Sequence, residues 1–306
     1  MKVPLQPLRL LKADYDERTI MSEANTCFLL GIDKLHNPEF TTCEFYATYA
    51  TRENLLRMTE DLFSDIAKQV ENASRSSRGK DNAWDSPLPS LAKRTTVFES
   101  PYPEIDFIPA LNTALGQALP DLSSDKATDD LVKIFKEKGA PLPPVVTLPQ
   151  LLDTLASLFL EPQCDRPTWI INHPECLSPL SKSFTHALPD IPQSVAARAE
   201  LFIGGQEIVN CYEEENSPLE QKRKFWQQRK YSQNGSDGSL KSESMAADED
   251  YLRALEWGLP PTAGWGCGID RLVMLLTGKE RISDVLSFRT LRAVTRAPEA
   301  RNMVKL

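Results

Sequence analysis

Residues 259–276 read LPPTAGWGCGIDRLVMLL and carry two structural signals in one short segment. Gly264, Gly266 and Gly268 stand at alternate positions, which predicts an extended backbone with one face free of side chains. The apolar residues that follow recur at the spacing of an amphipathic helix, and Arg271 in its first turn supplies a permanent positive charge suited to a phosphate. The segment indicates either a site that a flat ligand approaches closely or a tight strand-to-helix turn with a solvated arginine.

Residues 36–50, HNPEFTTCEFYATYA, alternate as a β-strand does. One face then carries an aromatic ring, a hydroxyl, a carboxylate and a phenol: Phe40, Thr42, Glu44 and Tyr46. The opposite face is mostly apolar and suits a core. Because an unpaired charge is expensive inside a protein, Glu44 indicates either a ligand-binding face or an edge strand whose polar face is merely wet.

A third segment, residues 200–214 (ELFIGGQEIVNCYEE), predicts a β-hairpin whose two-residue turn is Gly204-Gly205. Glu200 and Glu207 share one face in such a hairpin. Two carboxylates on one face repel each other unless a cation lies between them, and Mg²⁺ held by carboxylates and substrate phosphates is the usual solution. The hairpin therefore predicts a magnesium site.

A regular hairpin of this kind pairs Phe202 with Glu207 and Leu201 with Ile208. Three further polar residues then project from the face opposite Glu207: Asn210, Tyr212 and Glu214. Only a bulge or a strong twist near Val209 would turn all five polar side chains toward one ligand. The sequence leaves this arrangement open.

These segments together resemble the catalytic domain of a class II lysyl-tRNA synthetase. HNPEFTTCEFY is similar to the latter part of that class's second signature motif, and GWGCGIDR is similar to the third. ELFIGGQEIVNCYEEENSP and residues 173–182 (HPECLSPLSK) resemble the lysine-specific subgroup rather than the aspartate or asparagine enzymes. The resemblance is strongest to fungal or mitochondrial versions and extends from about residue 31 to about residue 288.

The resemblance implies an α+β fold, in which helices flank an antiparallel sheet of the class II synthetase type that is incomplete at the amino terminus. Residues 1–30 are expected to be a divergent leader without family resemblance. Residues 31–306 are expected to form a partial catalytic domain with a variable insertion at about 73–165. The resemblance does not include the family's first motif, which builds its homodimer interface, or its anticodon-binding barrel.

The resemblance also assigns roles to individual residues, with ATP and Mg²⁺ as cofactors. ATP would be bound by residues of the second and third motifs: His36, Asn37, Phe40, Thr42, Gly268, Ile269, Asp270 and Arg271. Phe40 would stack on adenine, and Arg271, assigned as the catalytic residue, would contact the γ-phosphate. Glu200 and Glu207 would hold Mg²⁺. The lysine substrate would lie among five residues: Glu44, Tyr46, Asn210, Tyr212 and Glu214.

The chemistry of lysine suits this set of residues. Its side chain carries one positive charge and three N–H donors, for which acidic residues and phenols are suitable counterparts. Such a pocket rejects shorter or neutral side chains, because its buried carboxylates would be left unpaired. No side chain need act as a nucleophile, since the carboxylate of the amino acid attacks the α-phosphate and the protein contributes alignment and charge neutralisation. The resemblance thus implies formation of lysyl-adenylate and transfer of lysine to tRNA(Lys) in protein synthesis.

The second motif departs from the family pattern at two positions. The family has an arginine that grips the α-phosphate and a glutamate that reads adenine, and Phe28 and Leu30 stand at those positions here. Losing a donor to the transition state costs on the order of 10²–10³ in rate. We therefore expect impaired activity, with two alternatives: an inactive synthetase-like protein that binds nucleotide or a partner, or a ligase that attaches lysine to a protein.

Composition favours an intracellular protein, and the resemblance to fungal or mitochondrial enzymes implies the mitochondrion, with the cytoplasm as the alternative. The 306 residues are 41% hydrophobic, and no apolar run approaches the length of a membrane span. Six cysteines without a CxxC pair favour reduced thiols over disulfides or a zinc site. A net charge of −8 argues against broad nucleic-acid binding, so any tRNA contact would be local. The best candidate is the basic helix predicted to begin at Ser217, with a solvated helix face as the alternative.

The segments between the motifs carry weaker signals. Residues 52–70 predict an amphipathic helix with three residues on its core-facing side: Leu55, Leu62 and Ile66. Residues 101–160 predict two or three short helices separated by prolines. His173 indicates either a residue that orients a substrate or, more commonly, a structural histidine that bonds a nearby backbone group.

Overall fold

The computed structural model describes residues 19–27, 39–77, 98–233 and 249–286. Four positions of interest in the second motif lie outside these ranges: Phe28, Leu30, His36 and Asn37. The described strands are β1 (Thr19–Cys27), β2 (Glu39–Thr48), β3 (Glu104–Asp106), β4 (Thr168–Ile171), β5 (Ser183–His186), β6 (Gln193–Ala196), β7 (Arg198–Ile203), β8 (Gln206–Glu213) and β9 (Thr262–Gly268). The described helices are α1 (Arg52–Ser77), α2 (Phe107–Leu115), α3 (Ala127–Lys138), α4 (Leu148–Phe159), α5 (Pro218–Gln233), α6 (Glu249–Glu256) and α7 (Ile269–Thr277).

Seven strands form one sheet in the order β1-β2-β9-β8-β7-β4-β3. Every neighbouring pair is antiparallel except β3 and β4, which are parallel. β5 and β6 form a separate antiparallel pair. Helices flank the large sheet, so the predicted α+β architecture with a mainly antiparallel sheet is confirmed. β1 comes from the segment expected to be a leader, and its backbone pairs with β2 from Thr19 opposite Ala47 to Cys27 opposite Glu39.

The first hydrophobic core lies between the sheet and α1. Phe45 on β2 and Trp265 on β9 stack with ring centroids 5.0 Å apart, and Leu55 and Phe63 of α1 close the core above them. Burial of this apolar area is the main force that holds α1 on the sheet. The prediction that Leu62 faces this core is wrong: its side chain is 41% exposed, because the helix turns its neighbour Phe63 inward.

The glycine-rich segment forms the predicted strand and helix. β9 ends at Gly268 and α7 begins at the next residue. Leu272 of α7 is buried in the first core, and the helix ends at Gly278, whose φ of 68° is the left-handed conformation typical of a helix end. This strand-to-helix connection holds Arg271 beside the edge of β9 on a short, well-anchored element.

The second core lies on the opposite face of the sheet, beneath three short helices. The prediction of two or three helices in residues 101–160 is confirmed by α2, α3 and α4. Their fully buried leucines, among them Leu111 and Leu151, pack with Ile170 of β4 and Phe202 of β7. These helices therefore cover this face over β4 and β7, and the same face over β2, β9 and β8 carries a cavity.

The basic helix α5 begins as predicted. The Ser217 hydroxyl accepts a hydrogen bond from the backbone N–H of Glu220 at 3.4 Å, which is the arrangement of an N-cap. A buried ion pair between Lys224 and Glu215, 2.7 Å apart, anchors the helix to the segment that follows β8. None of the helices in the described ranges is long and apolar enough to cross a membrane.

Glu60 of α1 is a buried carboxylate that joins the two halves of the fold. It accepts hydrogen bonds from Ser100 Oγ (2.7 Å), Tyr102 N (3.2 Å) and Trp169 Nε1 (3.1 Å). Three donors compensate for much of the cost of burying its charge. The carboxylate therefore ties α1 to β4 and to the segment that leads into β3.

We expect Glu60→Ala to lower the free energy of unfolding by about 2–3 kcal/mol, because it leaves the buried N–H groups of Tyr102 and Trp169 without an acceptor. Urea denaturation followed by tryptophan fluorescence measures the change. Asp61→Ala is the matched control, since Asp61 is exposed on the same helix and its loss is expected to cost less than about 0.5 kcal/mol. Equal effects of the two substitutions would contradict the anchoring role.

Candidate active site

The β7–β8 hairpin has the predicted two-residue turn. Gly204 and Gly205 have φ values of 61° and 71°, a left-handed conformation that glycine adopts without steric cost. Phe202 pairs with Glu207 as expected, but Leu201 pairs with Val209. The expected pairing of Leu201 with Ile208 is therefore wrong, because the strand contains an extra residue, a β-bulge.

The bulge brings the polar residues of β8 to one face. Ile208 and Val209 both pack into the core beneath α1. Two consecutive side chains on the same side shift the alternation that follows, so Glu207 and Asn210 project from the other face together. The arrangement that the sequence left open is thereby decided: Glu207, Asn210, Tyr212 and Glu214 all line one cavity.

This cavity has a volume of about 340 Å³ and lies over β2, β8 and β9. The polar face of β2 points into it, whereas Phe45 and Ala47 of the opposite face are buried in the core, as the alternation predicted. Eleven of the assigned residues line the cavity: Phe40, Thr42, Glu44, Tyr46, Glu207, Asn210, Tyr212, Glu214, Gly268, Asp270 and Arg271. Residues distant in sequence thus surround one space.

Two assigned residues stand apart from the cavity lining. Ile269 packs against the core beneath α1, because it occupies the first turn of a helix whose apolar side faces that core. Glu200 lies on β7 and forms an ion pair with its neighbour Arg198. Asp270 lines the cavity but also accepts a hydrogen bond from the backbone N–H of Thr41 at 2.6 Å, which joins α7 to β2.

Several lining residues had no individual role assigned from the sequence. Thr41, Gly264, Trp265 and Gly266 contribute to the wall, and Ile282 closes it from the short 3-10 turn after α7. The two glycines belong to the predicted side-chain-free face. Ile282 carried no signal, since an isolated apolar residue in a polar segment is usual on any protein surface.

One end of the cavity is acidic and aromatic. In the part of the chain that the structure describes, Oε1 of Glu214 is buried without a hydrogen-bond partner. Burial and the nearby charge of Glu44 raise the pKa of Glu214 to about 8. Burial and the charge of Glu214 raise the pKa of Tyr46 to about 12, and they also raise the pKa of Tyr212. A buried acid surrounded by phenols is arranged to receive a cation with several N–H donors.

Gly264 makes room for this carboxylate. A Cβ atom at position 264 would lie 2.1 Å from Glu214 Oε1 and 3.0 Å from Tyr46 Cε1. Both distances are shorter than an ordinary van der Waals contact. Any larger residue at position 264 would therefore displace the acidic group from this end of the cavity.

The other end of the cavity contains the assigned phosphate and metal residues. Arg271 Nη1 donates to the backbone oxygen of Glu207 at 2.8 Å and lies 3.6 Å from its carboxylate. Burial and the charge of Glu200 raise the pKa of Glu207 to about 7. Within the described residues no group of three or more His, Cys, Asp or Glu side chains is placed to hold a metal ion. The two assigned carboxylates, Glu200 and Glu207, repel each other, and by themselves they do not form a complete set of metal ligands.

The side chain of His173 contacts the carboxylate of Glu200. Its Nε2 lies 2.9 Å from Glu200 Oε2, and the ring is buried against Phe107. Burial lowers the pKa of His173, so the neutral ring donates Nε2–H to the carboxylate. The contact of Nε2 is thus to a carboxylate side chain.

The mainly antiparallel sheet with a cavity on one face agrees with the fold expected for a class II synthetase. A family model described as tRNA synthetases class II (D, K and N) matches residues 31–292. The chain therefore belongs to the class II tRNA synthetase family that includes the enzymes for aspartate, lysine and asparagine.

Three similar proteins are all lysine–tRNA ligases by name. A mitochondrial lysine–tRNA ligase of Schizosaccharomyces pombe is 42% identical over 86% of this chain and 46% of its own length. A probable cytoplasmic lysine–tRNA ligase of Encephalitozoon cuniculi is 40% identical over 86% of this chain and 49% of its own length. A lysine–tRNA ligase of Cladosporium cladosporioides is 38% identical over 84% and 41%, respectively. The chain thus spans about half the length of the curated relatives it matches.

Proposed function

We propose that this domain binds lysine and ATP and forms lysyl-adenylate, as part of a lysine–tRNA ligase. The observation that carries the proposal is that Oε1 of Glu214, at the end of a cavity of about 340 Å³, has no hydrogen-bond partner among the residues that the structure describes. A lysine ammonium would supply the missing donor and would restore the carboxylate charge that burial disfavours. The names of the similar proteins support the same substrate.

The chemistry of the cavity distinguishes lysine from the other amino acids of the family. Glu44 and Glu214 would repel the side-chain carboxylate of aspartate, and the short amide of asparagine would leave both acids unpaired. Tyr46 and Tyr212 provide phenol oxygens that can accept N–H donors, as well as apolar surface for the lysine methylenes. The five assigned residues Glu44, Tyr46, Asn210, Tyr212 and Glu214 therefore form the proposed lysine pocket.

The proposed ATP site lies at the other end, where the glycine-lined backbone of β9 allows close approach of a flat base. Phe40 would stack on adenine, with Thr42 and Gly268 beside the nucleotide, and Arg271 would contact the γ-phosphate. His36 and Asn37 belong to the same proposed site by their positions in the second motif. Held in this way, the carboxylate of lysine would face the α-phosphate, so catalysis would rest on alignment and charge neutralisation.

Glu200 and Glu207 suit a magnesium ion that is shared with the phosphates of ATP. Mg²⁺ binds carboxylate oxygens and commonly completes its shell with substrate phosphates and water, so two protein carboxylates are enough. Burial and the charge of the neighbouring Glu200 raise the pKa of Glu207 to about 7, which supports a cation between the two acids. A dication supplies the charge that offsets this repulsion and that neutralises the phosphates.

Transfer of lysine to tRNA(Lys) and a mitochondrial location extend the proposal to the whole protein. The mitochondrial S. pombe relative supports that location, and the cytoplasmic E. cuniculi relative is the alternative. Phe28 and Leu30, at the positions of the family's arginine and glutamate, favour a second candidate: a protein that binds lysine and ATP but activates lysine slowly.

Calorimetric titration of the chain with L-lysine, L-aspartate and L-asparagine tests the proposed specificity. We expect lysine to bind at least about 100-fold more tightly than either competitor, because only lysine pairs with the buried acids. Tighter binding of aspartate or asparagine would overturn the assignment to lysine. Lysine-dependent ATP–pyrophosphate exchange, with a full-length lysine–tRNA ligase assayed alongside, separates the two candidates. An exchange rate near that of the full-length enzyme would reject slow activation.

A further inference from the structure

Arg198 is a charged residue of β7 that connects separate parts of the site. Its Nε donates to Asn210 Oδ1 at 3.0 Å, and its Nη1 donates to Leu177 O and Ser178 Oγ, each at 3.1 Å. Its Nη2 donates to Glu200 Oε1. A planar guanidinium holds its donors in fixed directions, so these contacts determine the positions of several partners at once.

The contact with Asn210 decides which way its amide faces. An amide offers one acceptor oxygen and one NH₂ donor group, and Arg198 can only donate. The oxygen of Asn210 is therefore turned toward Arg198, and the NH₂ group is left for the cavity that Asn210 lines. A donor at this point suits a carboxylate, whereas the acids at the Glu214 end suit an ammonium.

The position of Arg198 is itself well secured. Both oxygens of Glu200 are engaged, one by Arg198 and the other by His173 at 2.9 Å. Glu200 thus holds the guanidinium from one side, and Leu177 O and Ser178 Oγ hold it from the other.

We propose that Arg198 is a positioning residue that fixes the Asn210 amide with its NH₂ group toward the carboxylate of the bound amino acid. The inference rests on the proposed lysine site and deepens it. The site would recognise lysine at two ends: Glu214 reads the side-chain ammonium, and Asn210, oriented by Arg198, reads the carboxylate. An amine that lacks the carboxylate would lose the second contact.

The test compares L-lysine with 1,5-diaminopentane, which is lysine without its carboxylate, by calorimetric titration. The unaltered protein is expected to bind lysine about 10-fold or more tightly than the diamine. Arg198→Lys keeps the charge beside Glu200, but it cannot also donate from a fixed fork to Asn210. We expect it to weaken lysine binding about 10-fold and to leave diamine binding unchanged. If Arg198 only supported the fold, Arg198→Lys would weaken the binding of both ligands equally.

Asn210→Asp is the second variant and does not alter Arg198. Its carboxylate can still accept a hydrogen bond from Arg198, but it presents a negatively charged oxygen to the cavity. We therefore expect this variant to bind lysine more weakly, without any loss of affinity for the diamine. This variant decides the matter if thermal denaturation shows that Arg198→Lys is unfolded. Arg253→Lys is the control, because Arg253 is 70% exposed on α6 and should retain the ligand ratio of the unaltered protein.

Three results would overturn the inference. The first is an unchanged lysine-to-diamine ratio in Arg198→Lys and Asn210→Asp, and the second is an equal loss for both ligands. In both cases the proposed function survives, because the unaltered protein would still bind lysine more tightly than the diamine. The third is that the unaltered protein binds neither ligand, which would overturn the proposed function and the inference together.

Discussion

Glu214→Gln is expected to weaken lysine binding by about 100- to 1000-fold while ATP binding stays within about threefold of the unaltered protein. Glutamine keeps the size of the side chain, so the cavity is preserved, but it removes the charge that would pair with the lysine ammonium. The ammonium would then be buried without a counter-charge at the end of the pocket, beside phenols that cannot replace a carboxylate. Calorimetric titration with lysine and with ATP measures both affinities.

Glu213→Gln is the matched control for this substitution. Glu213 precedes Glu214 in the chain, and its Oε1 accepts from the backbone N–H of Arg52 at 3.2 Å. Glutamine can accept the same hydrogen bond, so lysine affinity should stay within about twofold of the unaltered protein. A lysine affinity that is insensitive to Glu214→Gln would place the lysine ammonium elsewhere.

The same residue predicts a dependence on pH. Because the pKa of Glu214 rises from its ordinary 4.5 to about 8 in the folded protein, the folded state retains a proton that the unfolded chain releases. This stabilisation is complete below about pH 4.5 and is lost as the pH rises toward 8. Between about pH 5.5 and pH 8 it amounts to at most about 3 kcal/mol. Lysine should bind more tightly over the same interval, since it pairs with the charged form.

Urea denaturation of the ligand-free protein at the two pH values checks this expectation. The unaltered protein should lose more stability on going to the higher pH than Glu214→Gln does, because glutamine has no proton to release. Identical losses in the two proteins would show that Glu214 already carries its charge in the empty pocket.

Arg271→Met is expected to weaken ATP binding about 30- to 100-fold, with much less effect on AMP. Methionine keeps the apolar stem but removes the guanidinium that would contact the γ-phosphate, which AMP lacks. In the ligand-free protein Arg271 also lies 3.6 Å from the Glu207 carboxylate. Without this guanidinium, the charges of Glu200 and Glu207 would repel the phosphates more strongly. This repulsion would weaken ATP binding further. Fluorescence titration with ATP and with AMP in the presence of Mg²⁺ measures the difference.

Arg281→Met provides the control, because Arg281 is exposed just before the 3-10 turn that closes the cavity. It removes one positive charge from the same region without touching the proposed nucleotide site. Equal losses of ATP affinity in the two variants would indicate a general effect of charge. Equal losses of ATP and AMP affinity in Arg271→Met would move Arg271 away from the γ-phosphate.

Local patterns predicted most of the elements that build the site. The alternation in residues 36–50 separated the cavity face of β2 from its buried face, because side chains of a strand alternate whatever surrounds them. The two glycines at 204 and 205 predicted the hairpin turn, since both adopt positive φ values. The serine at 217 predicted the start of α5, because its hydroxyl satisfies a free N–H of the first turn.

Predictions that depended on tertiary packing were less successful. Leu62 and Phe63 are both apolar, and only the contact with the sheet selects Phe63 for the core. The pairing of Leu201 with Ile208 followed from a regular ladder, whereas the structure contains a bulge at that point. Arg198 carried no motif of its own, and its importance appears only when Asn210 and Glu200 are seen on either side of it.

By itself the sequence determined the family, the residue types at each end of the site and the strand-and-turn elements that present them, because these follow from short-range spacing. Only the tertiary structure decided that Glu207, Asn210, Tyr212 and Glu214 share one cavity, since that depends on how a bulge fits against the core beneath α1. It alone also decided that Glu214 has an oxygen without a hydrogen-bond partner among the described residues and that Arg198 donates to the Asn210 amide oxygen. Hydrogen bonding and burial are set by neighbours that are distant in the chain, and no local pattern encodes them.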